Sequence, residues 1–346
     1  MSAKVRDPVL DEIFPALPPR VREAVLALPS ADRQSLLEIR LRRGRAAMAV
    51  TAEGDLYLRC AGQPVICTEN EWEAALRLVT QSSIYALERE LAAGFVTLAG
   101  GHRVGLVGRA VLEGERVRGQ SELSSMNYRI ARQMIGIADR VMPYVFSADG
   151  TRVMNVLILS GPGLGKTTLL RDIARQLSTG SGAESSMGAA PAAASMAGFK
   201  VGIVDERSEI AACSQGVPQN ELGPRADVID GCPKAVGIMI MIRTMSPDVV
   251  ITDEVGRADD ADALEEASRC GVSVIATAHA LDPEDAMRRP AIRDALARGA
   301  FDRAIVLGRS LGLGTCERIV DLRSGRDLAA RPFRLASGGE TGGVRR

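Results

Sequence analysis

Apolar and charged residues alternate along Leu36–Arg42 (LLEIRLR), the period-two signature of a strand with one buried face. The alternation extends over 47–51 and 55–59, and a short amphipathic helix precedes it from Pro18-Pro19 to Leu28. Thr68 stands where it can cap a helix over 69–80, whose first turn carries acids, and Ser82-Ser83 opens a second helix that Gly94 ends. Residues 95–98, Gly100-Gly101 and 103–111 read as a hairpin. Residues 1–148 therefore read as one α+β domain.

After Asp149-Gly150 the pattern changes to mainly apolar runs at 154–159, 201–204, 249–252, 272–276 and 304–307, which read as buried strands alternating with helix-period segments. That alternation predicts an α/β domain over 149–325, with a parallel sheet covered by helices. Residues 179–198 are rich in Ala, Gly and Ser with one charge, Glu184, and read as a flexible insertion between the first helix and second strand. Residues 326–346 read as a disordered tail.

Chemistry enters at the end of the 154–159 run. Ser160-Gly161-Pro162-Gly163-Leu164-Gly165-Lys166-Thr167-Thr168 follows it, and Leu169, Ile173 and Leu177 then mark one face of a helix. Strand, glycine loop and helix in this order form a P-loop, with backbone N–H groups and a helix N-terminus turned toward a phosphate chain. Lys166 would reach the β/γ oxygens and Thr167 would ligate Mg²⁺; Ser160 replaces the glycine usual at that position. The competing reading is a plain glycine turn. The 249–252 run ends in Asp253-Glu254, which would hold the metal's water shell and polarise the attacking water respectively. Taken alone, Glu254 could instead be an acidic helix cap.

The apolar run at 201–204 falls between P-loop and acid pair, which suits the additional-strand class of P-loop ATPases and favours hydrolysis of ATP. His279, at the end of the 272–276 run, could sense a γ-phosphate or serve only packing. Asp205-Glu206-Arg207 ends another strand on the same sheet edge, as a solvated charge cluster or as a group at the metal or a neighbouring subunit.

Composition narrows the classes. Lys+Arg and Asp+Glu both number 43 and aromatics make up 3%, which argues against nucleic acid as a partner held by charge or stacking. Only four cations are lysines (Lys4, Lys166, Lys200, Lys234), so a retained lysine carries some information. Six cysteines without C-x-x-C pairing and two histidines do not make a usual zinc quartet. A charged N-terminus and the lack of an 18-residue apolar run lead to the expectation of a cytoplasmic protein, or one peripheral to a membrane.

The run 201–212 (VGIVDERSEIAA), with Gly231-Cys232-Pro233-Lys234-Ala235, resembles the stage III sporulation protein AA family, and the resemblance extends from about Leu36 to about Val320 through GGHRVGL at 100–106 and YRIAR at 128–132. That family looks like a relative of the hexameric type II and type IV secretion ATPases, whose N-terminal domain moves against a RecA-like motor domain. The resemblance implies a homo-oligomeric ATPase, with a hexamer as the form the secretion ATPases suggest, that energises membrane-embedded channel proteins between mother cell and forespore. It implies a place in the mother cell cytoplasm or at the forespore membrane. Asp253-Glu254 departs from the Gly-Glu usual at that motif, and either Glu206 or Glu209 could be the second catalytic acid. An arginine acting in trans would be Arg207, Arg225, Arg243, Arg103, Arg129 or Arg132. Alternatives are a nucleic-acid-associated P-loop ATPase and a scaffold that uses ATP only as conformational glue.

Overall fold

The computed structural model describes residues 8–80, 94–114, 116–180 and 198–335, which fall into two compact units. The first comprises Met1–Arg132 together with Ala212–Gln219; the second comprises Gln133–Ala211 and Asn220–Arg346. The change from one unit to the other at Arg132 lies upstream of the shift in pattern at Asp149-Gly150.

The first unit is built on a six-stranded antiparallel sheet. Its strands are β1 (Leu36–Arg42), β2 (Met48–Thr51), β3 (Gly54–Tyr57), β6 (Phe95–Thr97), β7 (Arg103–Glu113) and β8 (Arg116–Arg129), in the order β3-β2-β1-β8-β7-β6; β4 (Arg59–Cys60) and β5 (Gln63–Pro64) pair separately. Alternation decides the buried face: Ile39 and Leu41, Val104 and Leu106, and Met126 and Tyr128 are each at most 1% exposed. The Tyr128 hydroxyl, buried with them, donates to the Ala16 carbonyl at 3.1 Å, which satisfies its polar end. Helices Pro8–Ile13, Pro19–Leu26 and Glu69–Val79 supply further core residues. The last of these begins in a capping box, Thr68 with Glu71, in agreement with the sequence. Ala212–Gln219 belongs to this unit by its contacts: Ser214 Oγ donates to the Thr97 carbonyl at 3.3 Å and Gln219 Oε1 accepts the Gly100 N–H at 3.1 Å.

The second unit has an eight-stranded sheet ordered β11-β10-β12-β13-β9-β14-β15-β16. Its strands are β9 (Val156–Ser160), β10 (Val201–Asp205), β11 (Ala226–Asp230), β12 (Val249–Thr252), β13 (Ser273–His279), β14 (Arg303–Gly308), β15 (Thr315–Asp321) and β16 (Phe333–Arg334). From β11 to β14 all neighbours are parallel, while β15 and β16 add on antiparallel. Strand β13 lies between β9, which leads into the glycine loop, and β12, which leads into Asp253-Glu254. This is the arrangement of the additional-strand, RecA-like P-loop ATPase fold. Every residue of β9, β10 and β12 is buried, as a sheet with both faces covered requires. Helices Lys166–Thr179, Lys234–Met245, Ala258–Arg269 and Pro290–Ala297 accompany it, and among the described residues no helix is long and apolar enough to cross a membrane.

Several expectations need correction. The sheet is not wholly parallel, because β15 returns beside β14 with Ala304 opposite Val320. The expected tail from residue 326 is ordered as far as 335: Leu328 N–H donates to Ile319 O at 2.7 Å, Phe333 pairs with Cys316, and Leu335 is 2% exposed. Its charged composition concealed a short edge strand held by main-chain bonds and one apolar anchor. The helix expected from Ser82, the 181–197 part of the insertion and the end of the chain from 336 lie outside the described residues.

Candidate functional site

The ends of β9, β10, β12 and β13 come together around a cavity of about 630 Å³, lined by Pro162–Thr168, Arg207, Glu209, Asp253, Glu254, Thr277 and His279, with Met134, Ile137, Leu313, Gly314 and Arg334 completing the wall. All of these belong to the second unit. Parallel strands deliver their loops to one edge, so residues more than a hundred positions apart in the chain share a single site.

Gly163 and Gly165 hold φ of +69° and +91°, and a Cβ at either would meet nothing within 4 Å. The left-handed backbone disfavours other residues, and the open space beside it leaves main-chain N–H groups accessible to an anion. Gly165 begins the helix Lys166–Thr179, whose positive end faces the same place. Lys166 is 8% exposed, and its ammonium is satisfied internally by Ser160 O (3.2 Å), Ser160 Oγ (3.1 Å), Gly161 O (3.1 Å) and His279 Nδ1 (3.1 Å). Burial lowers the Lys166 pKa, against the raising influence of Glu254 and Glu209. An ammonium only donates, so His279 Nδ1 accepts and the ring proton sits on Nε2, facing Glu254 Oε2 at 3.5 Å. Glu254 Oε2 also accepts from Arg207 at 3.2 Å. A backbone bond from Val255 N–H to Thr277 O (2.7 Å) holds the acid loop against β13.

Asp253, 4% exposed, has its pKa pushed up to about 6 by burial, with Lys234 pulling the other way. Of its two buried carboxylate oxygens, Oδ1 faces Lys234 Nζ at 3.1 Å as an ion pair and Oδ2 has no partner. A buried carboxylate with free lone pairs fits a metal ligand, as does the Thr167 hydroxyl in the cavity wall. Among the described residues no group of three or more His, Cys, Asp or Glu is gathered as a cage. Mg²⁺ needs no such cage, because phosphate oxygens and waters fill most of its shell. The residues fit the ion.

The acidic loop after β10 separates three roles. Asp205, wholly buried, accepts the N–H groups of Glu209 (2.8 Å), Ile210 (2.9 Å) and Ala211 (2.8 Å), and so shapes the loop. Glu206 does not line the cavity: it meets Lys234 at 2.5 Å and Arg257 at 3.6 Å, and the Lys234 hydrogen bond lowers its pKa. Glu209 and Arg207 do line it. Ser160 and Gly161 sit just behind the lining, where they hold Lys166. Of the other arginines in this unit, Arg225 donates to the Gly198 carbonyl and Arg243 is exposed. Lys234 was the residue that sequence reading left without a role; its signal was its rarity as a lysine and its place in Gly231-Cys232-Pro233-Lys234.

Strand order, glycine loop and paired acids define a RecA-like P-loop ATPase fold. The chain belongs to the family described as sporulation stage III, protein AA, whose model matches residues 9–327. Stage III sporulation protein AA of Bacillus subtilis (strain 168) is 43% identical over 312 residues, which cover 90% of this chain and 95% of that protein. Among solved structures, the ATPase DotB of Yersinia pseudotuberculosis matches with a TM-score of 0.54 and 14% identity, over 97% of this chain and 83% of its own. The pilus retraction motor PilT with bound ADP matches at 0.51 and 14%, over 80% and 75%. At such identities these two bear on the fold alone.

Proposed function

We propose that the protein is a Mg²⁺-dependent ATPase that works as a homo-oligomer, as a hexamer, and energises membrane-embedded channel proteins between mother cell and forespore during endospore formation. It acts from the mother cell cytoplasm, peripherally at the forespore membrane. The observation that carries the ATPase reading is the meeting of Lys166, His279 and Glu254 over an open glycine loop in one cavity.

In this reading the loop N–H groups and helix N-terminus bind the phosphate chain. Lys166 exchanges its carbonyl partners for β/γ oxygens, a low-cost change because its ammonium is already desolvated. Thr167 and Asp253 would hold Mg²⁺, which when bound neutralises phosphate charge. Glu254 orients the attacking water, and His279, with Nε2–H toward Glu254, reports whether the γ-phosphate is present. Arg207 holds Glu254 in the nucleotide-free site, and Glu254 is freed for the attacking water when that ion pair opens.

Phosphate release and native mass, measured with and without ATP, test the reading. The protein should hydrolyse ATP in Mg²⁺ and stop in excess EDTA, with activity per chain rising as oligomers form. Lys166→Ala should lose nucleotide binding, and Glu254→Gln should bind ATP without turnover. Normal hydrolysis by both variants would reject the site. The channel role is tested by recovery of the membrane complex from sporulating cells; a chain that never associates with that membrane fraction would reject it.

A further inference from the structure

One charged cluster is left over by the proposed chemistry. Lys234 begins the helix Lys234–Met245, whose first turn carries no acid, so its charge sits at the positive end of a helix dipole. It is also 6% exposed. Both facts oppose a cation there. The opposing weight comes from the ends of two adjacent strands: Glu206 Oε2 after β10 at 2.5 Å, and Asp253 Oδ1 after β12 at 3.1 Å. Glu206 has a second partner in Arg257, at 3.6 Å and largely exposed. Among the described residues the Asp253 carboxylate pairs with Lys234 alone, and its Oδ2 has no partner.

We propose that Lys234 is an intramolecular stand-in for the divalent cation: its ammonium balances Asp253 in the nucleotide-free protein and so discourages metal from loading before nucleotide arrives. The inference rests on the assignment of Asp253 to the metal. A divalent ion at Asp253 would share the buried carboxylate with a nearby ammonium, and like charges in a poorly solvated place repel strongly. The phosphates of an incoming nucleotide supply the negative charge that overcomes this repulsion, so metal enters with nucleotide. Glu206 is the second mooring, able to keep Lys234 paired once the metal takes Asp253.

Titration of the nucleotide-free full chain with Mn²⁺, followed by electron paramagnetic resonance, reads the competition directly. Lys234→Met should bind Mn²⁺ at least about tenfold more tightly than the natural protein. Lys234→Arg, which keeps the charge, should not. The gain should vanish in Lys234→Met/Asp253→Asn and shrink when ADP is present. Should Lys234→Met melt early without metal, Mn²⁺ should restore its circular-dichroism melting curve, and Lys234→Met/Glu206→Gln, which removes one charge of each sign, should show the same gain in affinity. Folded Lys234→Met with unchanged or weaker Mn²⁺ affinity overturns the proposal, as does a gain that survives Asp253→Asn or a melting curve that Mn²⁺ cannot restore. The underlying assignment fails separately: it falls if Asp253→Asn leaves Mn²⁺–ADP binding unchanged.

Discussion

Asp205 shapes the loop after β10 that sends Arg207 and Glu209 into the cavity wall, and its removal has a calculable cost. Its carboxylate takes three N–H groups, of which Glu209 is near solvent while Ile210 and Ala211 are buried. In Asp205→Ala the two buried donors lose their acceptor, at about 1–3 kcal/mol each, and water can serve only the third. Burial raises the Asp205 pKa, so the carboxylate carries a desolvation cost that the variant recovers. The net expected loss is about 3 kcal/mol. Urea unfolding followed by far-ultraviolet circular dichroism measures it, since the single tryptophan, Trp72, lies in the other unit. Hydrogen exchange of a peptide spanning 206–212 should show the Ile210 and Ala211 amides exposed first. Asp205→Asn should recover part of the loss, because its amide oxygen can take the place of Oδ2 and accept the Ile210 and Ala211 N–H groups, leaving the NH₂ group toward the exposed Glu209 N–H alone. Stability within about 1 kcal/mol of the natural protein, with unchanged exchange at those amides, would refute the reasoning.

Two other changes separate function from packing. His279→Gln should cut turnover much more than ATP affinity, with little effect on ADP affinity; a lowered melting temperature with normal turnover per folded molecule would make His279 a packing residue. His102, fully buried in the first unit, accepts the Ala131 N–H on Nδ1 at 3.0 Å, and burial lowers its pKa from the ordinary 6.5. The unfolded chain then binds the proton more readily, so the stability it contributes is complete above pH 6.5 and is lost as pH falls through the lower folded value. Trp72 fluorescence in urea should report that decline for the first unit, and His102→Asn should flatten it; an equal slope in both proteins would count against the assignment.

The fold was most legible where one segment carries its whole signal. Thr68 with Glu71, the apolar run before the glycine loop and the alternation in β1 each need only neighbours in sequence, and each is found in place. Strand β8 was missed although it is the longest in the sheet, because its outer residues (Ser121, Ser125, Asn127) are polar and its register depends on β1 and β7, not on local propensity. Strand β16 was missed for the same reason at smaller scale: two residues become a strand only because Thr315 and Cys316 lie opposite them.

The candidate site divides along the same line. The glycine loop and Asp253-Glu254 were readable because backbone freedom, a helix start and paired acids are local requirements. His279 needed one further fact, that β13 separates β9 from β12, and the strand order supplies it. The acidic loop after β10 could not be assigned from its spelling, since Asp205, Glu206 and Glu209 are chemically near-equivalent there. Their roles diverge through what each meets: main-chain donors for Asp205, the Lys234 ammonium for Glu206, open cavity for Glu209. A carboxylate's function is therefore set by its partner across the sheet edge. The same logic explains Lys234, whose meaning appears only when the ends of β10 and β12 are brought side by side, with Val204 opposite Thr252, and two acids are left facing one buried cation.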